Sequence, residues 1–454
     1  MNHNHRRFSL ALVLGAPLLG VVCAAAAGCG DDEVFNATDA GSFEAGPLPE
    51  SGPVVQPEGG DSAVPSNCGD PTGAPERLLL TINGSKTEVA AFNLANKAVD
   101  GRFGWNASTG QTFSFGTDPY VVEQGTDIVA RMNAQRPWEP ISTWNVAGDD
   151  RVDGGPNAQP VAVVVPSCGK GYVLRFESNK IAVIDTTKSS DGGAPSSYID
   201  LSSLVQADDT DGRVEMTTAL YVPSKKLIYV LLGGWDKNII AVDGFTALCA
   251  TSKPSIIAID PATDKVVSLG GTAPGGGIAL EGYSPALGNQ LVYDAARDRM
   301  LVFNTGCNTD TGGGVAGPVT RRTVDEANLA TKQAKTVLDV NAFGFPATLA
   351  LLDGNRAALT FVFPNQAFFW DPSSPNLGPE IPGSLDYAAF DSKGNLVGGR
   401  RTPIDGGAMV EVLSVPYTPG DGGTLDAGAV QTLGTNPFMD NSGFISGAEV
   451  WPRP

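Results

Sequence analysis

The side chains able to do acid–base or metal chemistry in this chain are almost all carboxylates. Of 454 residues, 49 are Asp or Glu, and the 2 histidines, His3 and His5, stand at the very start. Beyond them there is no imidazole. That removes Ser–His–Asp and Cys–His nucleophile systems, histidine metal sites and the commonest general base. Three acidic loops remain: "GDDRVDGG" at 148–155, "ADDTDG" at 207–212 and "NTDTGGG" at 308–314. Closely spaced Asp offers the hard oxygen ligands that calcium takes. None of the three carries the terminal Glu of a complete twelve-residue calcium loop. Asp with Gly is also what tight turns require, and turns are the expected role. Calcium is the one cofactor these loops leave possible. "GGTAPGGG" at 270–277 lacks the Lys and Ser/Thr of a phosphate-binding loop and reads as a connection.

The first residues decide where such chemistry would take place. Arg6 and Arg7 precede an apolar run from Phe8 to Val22, then small residues from Ala24 to Gly28. Positive, apolar, small is the order of a secretory signal peptide, here 1–28. The run is short for a membrane span and is interrupted by Pro17. "AAGC" at 26–29 resembles the lipobox of bacterial lipoproteins, with Ala26 in place of the usual Leu. The resemblance implies lipidation of Cys29, which would become the mature N-terminus. Gly30, not Asp, follows it, which by the same resemblance points to the outer membrane. "RRFSL" resembles a twin-arginine signal, but Ser9 stands where a hydrophobic residue is expected, so general secretion is the expected route.

Residues 29–75 follow as a tether. From Gly30 to Pro75 there are nine acidic residues, seven prolines and no Lys or Arg. Such a composition buries too little apolar surface to offset the entropy of ordering. The formal net charge of −19 becomes about −21 once Arg6 and Arg7 are cleaved off. That acidity argues against nucleic acid and against an anionic membrane surface as partners.

From residue 76 to 454 the pattern is different. Short apolar runs such as "VAVVV", "YVLRF", "LIYVLL", "SIIAI" and "ALTFVF" recur between Gly, Pro, Asp and Asn. These are strands, and their near-continuous apolar character implies burial on both faces. A turn repeats after one strand in each set: "FNLANK" at 92–97, "IDTTK" at 184–188, "IDPATDK" at 259–265 and "WDPSS" at 370–374. With that turn as a ruler, about seven units appear, near 76–109, 110–150, 158–205, 214–271, 286–341, 344–382 and 384–434. Units of this length with four strands predict an all-β fold, a β-propeller of about seven four-stranded antiparallel blades. The one helix candidate is 324–340, "VDEANLATKQAKTVLDV". The first unit lacks an innermost strand, and "SGFISGAEVW" at 442–451 is predicted to supply it and close the ring.

Strand placement orders the four remaining cysteines, Cys68, Cys168, Cys249 and Cys307, for which no CxxC spacing suggests zinc. Cys249 and Cys307 each follow a second strand in adjacent units, which favours Cys249–Cys307, with Cys68 paired to Cys168. The connections at 233–254 and 304–318 are long for hairpins. Stapled together, they are predicted to form a lip over one mouth of the channel, with Trp235, Asp236, Asn308 and Asp310 as ligand contacts.

"GYVLRFESNKIAVIDTTKSS" and "LIYVLLGGWD…SIIAIDPATDKVVSL" resemble YVTN-type propeller repeats of bacterial secreted proteins. That family includes enzymes, binding proteins and surface-layer proteins, so the resemblance supports fold more than activity. Propeller lactonases, a related resemblance, imply calcium held by Asp, Glu and Asn in the central channel. "GGWD" at 233–236 resembles a tryptophan docking motif of quinone-dependent propellers. That motif recurs in most blades and here stands alone, which leaves packing as the role of Trp235. The expected function is a lipid-anchored monomer of the cell envelope that binds an envelope protein or glycan without catalysis. A calcium-assisted hydrolase or lactonase on the same fold is the alternative, and a purely structural role is the third reading.

Overall fold

The computed structural model describes residues 72–452, except 85–86, 106–109, 116–117, 149–157, 189–192, 237, 239–247, 250–252, 284–290, 310–318, 405–406, 420–424 and 440–442. Residues 1–71, on which the expected signal peptide, Cys29, Cys68 and most of the expected tether fall, and Asp310 therefore lie outside the described residues. The propeller belongs to a compact unit, Asn67–Pro454.

Seven antiparallel blades follow one another along the chain. Blade 1 orders, from the outside in, Ala98–Trp105, Thr87–Asn93, Arg77–Asn83 and the C-terminal strand Phe444–Trp451. The other blades run from the inside out. Blade 2 spans Gly110–Phe115 to Pro140–Asn145, blade 3 Pro160–Ser167 to Ser197–Asp200, and blade 4 Met216–Val222 to Lys265–Val267. Blade 5 spans Leu291–Asp294 to Gln333–Asp339 and blade 7 Tyr387–Phe390 to Gln431–Thr435. Blade 6 has three strands, Phe345–Asp353, Arg356–Val362 and Gln366–Trp370, with a single bridge from Phe368 to Glu380 in the fourth position. The innermost strands touch neighbour to neighbour around a closed ring.

The apolar runs bury both faces because each blade is covered on two sides. One core joins blades 4 and 5 through Leu231, Ile256, Met300 and Val302. Another joins blades 5 and 6 through Phe303, Leu338, Leu359 and Phe361. Blades 7 and 1 share Val397, Val410, Leu78, Leu80 and Val450. The ring closes as the sequence predicts: Leu78 lies opposite Val450 and Leu80 opposite Ala448 on the ladder between Arg77–Asn83 and the C-terminal strand.

The ruler turn has one position, the hairpin between the third and fourth strands. There Asn93, Asp185, Asp260 and Asp371 each accept a hydrogen bond from the backbone N–H two residues on, at 3.0, 3.0, 2.9 and 2.8 Å. Asn133 of blade 2 and Asn328 of blade 5 do the same, each at 2.9 Å. The Asn328 turn corrects the helix expected over 324–340. That segment is a hairpin, Thr323–Asn328 and Gln333–Asp339, turned at "NLATK". Asn328 Oδ1 accepts from both Ala330 N and Thr331 N, and Lys332 takes the left-handed conformation (φ 62°) that ends the turn. Helix-forming composition yields here to burial of Val324, Asp325 and Ala327 in the blade.

Candidate functional site

Antiparallel alternation divides the ring into two faces. The second-to-third hairpins and the connections between blades emerge on one, here called upper. The ruler turns emerge on the other. The two long hairpins of blades 4 and 5 are therefore neighbours on the upper face, and a disulfide joins Cys249 to Cys307 with Cα atoms 5.0 Å apart. Beside it Cys249 N donates to Asn308 O at 3.0 Å, and Leu248 bridges Asn308 in parallel. Cys307–Asn308 pairs in turn with Val319–Thr320. Cys168, between the first two strands of blade 3, is also disulfide-bonded; its expected partner Cys68 lies outside the described residues.

Of the residues expected as ligand contacts, Trp235, Asp236 and Asn308 occupy the roots of these hairpins. Asp236 and Asn308 are each 1% exposed. Asp236 Oδ2 accepts from Thr210 N and Thr210 Oγ1 at 2.7 and 2.6 Å, and Oδ1 accepts from Asn238 N at 2.8 Å. It thereby stitches the connection between blades 3 and 4 to the lip. Trp235 is half-buried with its ring 5.8 Å from that of Phe176 in blade 3. Its indole Nε1 is buried without a hydrogen-bond partner.

The stitched connection, "ADDTDG", carries a group of carboxylates. Asp209, Asp211 and Glu215 each place an oxygen within 4.8 Å of the others. Asp209 Oδ1 accepts from Asp211 N and Gly212 N, and Asp211 Oδ1 accepts from Arg213 N. Glu215 immediately precedes the inner strand of blade 4 and is 1% exposed. Its Oε2 accepts from Trp235 N at 3.0 Å, while Oε1 has no hydrogen-bond partner. Burial, then the charges of Asp211 and Asp209, hold the Glu215 carboxyl well above the usual range. Burial, then Asp211, pushes Asp209 up to about 6. Sequence reasoning singled out the loop and missed Glu215. The available signal was a charged residue immediately preceding an apolar inner strand, "EMTTALYV".

The central channel encloses about 670 Å³ and is lined by the inner strands of blades 4 to 7 and by the C-terminal strand, with Leu220, Tyr221, Tyr293, Leu351 and Ala389 among its walls. Among the described lining residues Glu449 is the one carboxylate. The cluster of carboxylates that a channel calcium centre needs is thus not found among them. "GGTAPGGG" folds as a tight hairpin in which Leu269 N and Gly271 N both donate to Gly276 O at 3.0 Å. A Cβ on Gly271 would lie 2.2 Å from Gly277 O. Ala273 N, Gly276 N and Gly277 N likewise donate to carbonyls of the same hairpin.

Across blades 6, 7 and 1 the upper face carries four exposed large apolar side chains. Phe345, Phe363, Ile404 and Met439 are 44, 38, 51 and 85% exposed. The Phe363 ring stands 6.4 Å from that of Phe444, over which Arg401 lies at 5.2 Å.

No family model matches the chain, and no curated protein matches it. Among solved structures it is similar to the β-propeller domain of Cps50 (Swd1) from Myceliophteria thermophila, at 11% identity and TM-score 0.48 over 76% of this chain and 98% of that one. It is also similar to a candidate 6-phosphogluconolactonase from Bacteroides fragilis, at 12% identity and TM-score 0.48 over 83% and 98%. A third likeness is to the dihydro-heme d1 dehydrogenase NirN, at 13% and 0.44 over 84% and 75%. Likeness this distant carries no argument about activity.

Proposed function

We propose that this protein is a lipid-anchored binding module of the bacterial cell envelope, a YVTN-type propeller that engages a partner protein through its upper face without catalysis. The observation that carries the reading is the exposed apolar set there, Phe345, Phe363, Ile404 and Met439. Exposed apolar groups clustered on one side of a soluble fold mark interaction surfaces, and aromatic side chains dominate such contacts. The lip stapled through Cys249–Cys307 flanks the same face and supports it. The lipobox-like "AAGC" supports anchoring through Cys29, and Gly30 supports the outer membrane as the address. The chain is read as a monomer on a tether whose 46 residues reach roughly 150 Å when extended.

Photo-crosslinking in the intact envelope tests this reading. A crosslinking amino acid at Phe345 or Ile404 is expected to capture one defined partner, and the same probe at Lys226, on the opposite face, is not. Replacing Trp235, Asp236, Asn308 and Asp310 together is expected to weaken capture by disturbing the lip. Adducts that resist protease but yield to glycan-degrading enzymes would replace the protein partner with a glycan. Equal capture from both faces would sink the proposal.

A further inference from the structure

We propose that Asp209, Asp211 and Glu215 hold a calcium ion on the upper face, between blades 3 and 4. Their three carboxylate oxygens lie within 4.8 Å of one another. A calcium–oxygen bond is roughly 2.4 Å, so one ion among the three can be reached by all of them once the side chains draw in by a few tenths of an ångström. Glu215 supplies the second, independent observation. It is 1% exposed, and Oε1 has no hydrogen-bond partner. A buried carboxyl oxygen left without a hydrogen-bond partner is costly, and a cation bound in place of the proton supplies that partner. Backbone donors account for Asp209 Oδ1, Asp211 Oδ1 and Glu215 Oε2. The neighbouring cation, Arg213, pairs with Glu177, and its charge also acts on Glu215. A bound cation completes Glu215 and offsets the mutual repulsion of the trio.

The donor set selects the ion. All three ligands are hard oxygens, with no imidazole or thiolate, which disfavours zinc and copper. Asp209 and Asp211 are only half-buried, which leaves positions for water. Calcium accepts such irregular, part-hydrated shells of six to eight oxygens, whereas magnesium demands a near-ideal octahedron. This is a different place from the central channel. Thr210, between two of the ligands, is bonded to Asp236, and Trp235 N is bonded to Glu215. The ion therefore fixes the root of the stapled lip from the blade 3 side and makes the lip's order depend on calcium.

Thermal unfolding of the full-length protein, freed of metal with a chelator, reads the site. Millimolar calcium at neutral pH is expected to raise Tm by about 3–6 °C over chelator, and magnesium at matched ionic strength by less than about 1 °C. Glu215→Gln keeps an acceptor for Trp235 N, and Asp211→Asn keeps one for Arg213 N. Each is expected to weaken calcium at least about tenfold in calorimetric titration and to abolish the Tm increment. No calcium shift in the wild type, an undiminished shift in both variants, or equal shifts with magnesium would each overturn the proposal. Should Glu215→Gln fail to fold, the half-buried Asp211→Asn decides. None of these readouts involves a partner, so they stand or fall apart from the binding role.

Discussion

Arg77 lies directly opposite Trp451 on the ladder that joins the first described strand of the propeller to the last. Trp451 is fully buried, and its indole Nε1 donates to Ala134 O at 3.0 Å, reaching blade 2. One residue near the C-terminus thus touches two blades that begin more than three hundred positions earlier.

Removing residues 440–454 is therefore expected to abolish cooperative folding. It strips blade 1 of its inner strand and leaves Leu78 and Leu80 without Val450 and Ala448. The milder change Trp451→Ala is expected to cost about 3–5 kcal/mol through the cavity it leaves. Urea unfolding followed by fluorescence and circular dichroism measures both. A truncation as stable as the full chain would show that the ring does not depend on this closure.

Breaking the staple has a calculable effect. Cys249 and Cys307 are 58 residues apart, and a crosslink over that separation restricts the unfolded chain by about 4 kcal/mol in the loop-entropy model. The double replacement by Ser is expected to lower stability by about 2–4 kcal/mol in chemical denaturation and to speed proteolysis of the lip before the blades.

Asp386, between blades 6 and 7, sets a pH dependence. Burial pushes its carboxyl up to about 6, although Arg401 N and the Asn365 amide donate to it. Between the ordinary carboxylate range and about pH 6 the folded chain keeps this proton and the unfolded chain releases it. Stability from this group is full below about pH 4 and is lost as pH rises through 6, by roughly 3 kcal/mol at most. Asp386→Asn is expected to flatten that part of the profile relative to wild type, measured as ΔG against pH from 4 to 8.

Asn328→Ala removes the side-chain acceptor of two backbone N–H groups at the tip of the blade 5 hairpin. A loss of about 1–2 kcal/mol is expected. A helix over the same residues would instead gain from Asn→Ala, so a stabilising result would contradict the hairpin.

That hairpin also shows where the sequence is legible. Strands buried on both sides must be apolar runs, and the turns between them need Asn, Asp, Gly or Pro, so blade limits and ring closure can be read directly. Cys249 and Cys307 are legible for the same reason, since each follows a second strand. Over 324–340 the local signal misleads. Ala, Lys, Gln and Glu favour a helix, while the turn chemistry of "NLATK" is the ruler itself and is masked by its neighbours. The carboxylate site is only half legible. Asp209 and Asp211 lie in a conspicuous acidic loop, but Glu215 joins them through the packing of blade 4 against blade 3. Likewise the expected contacts Asp236 and Asn308 are buried at the hairpin roots, with Asp236 bonded to Thr210 of the neighbouring connection, a matter of tertiary burial that loop length alone does not reveal.

The third-to-fourth turns have a consequence of another kind. In six of the seven blades the described residues close this turn with an Asn or Asp at the same place. In these six blades one rim is built to a common pattern, while the opposite rim carries the long, disulfide-joined hairpins of blades 4 and 5. Substitution can therefore remodel that opposite rim without rewriting the chassis. For protein engineering, that makes the connections of blades 4 and 5 natural acceptors for grafted sequences, with the turn-bearing rim left untouched as the part that keeps each blade in register.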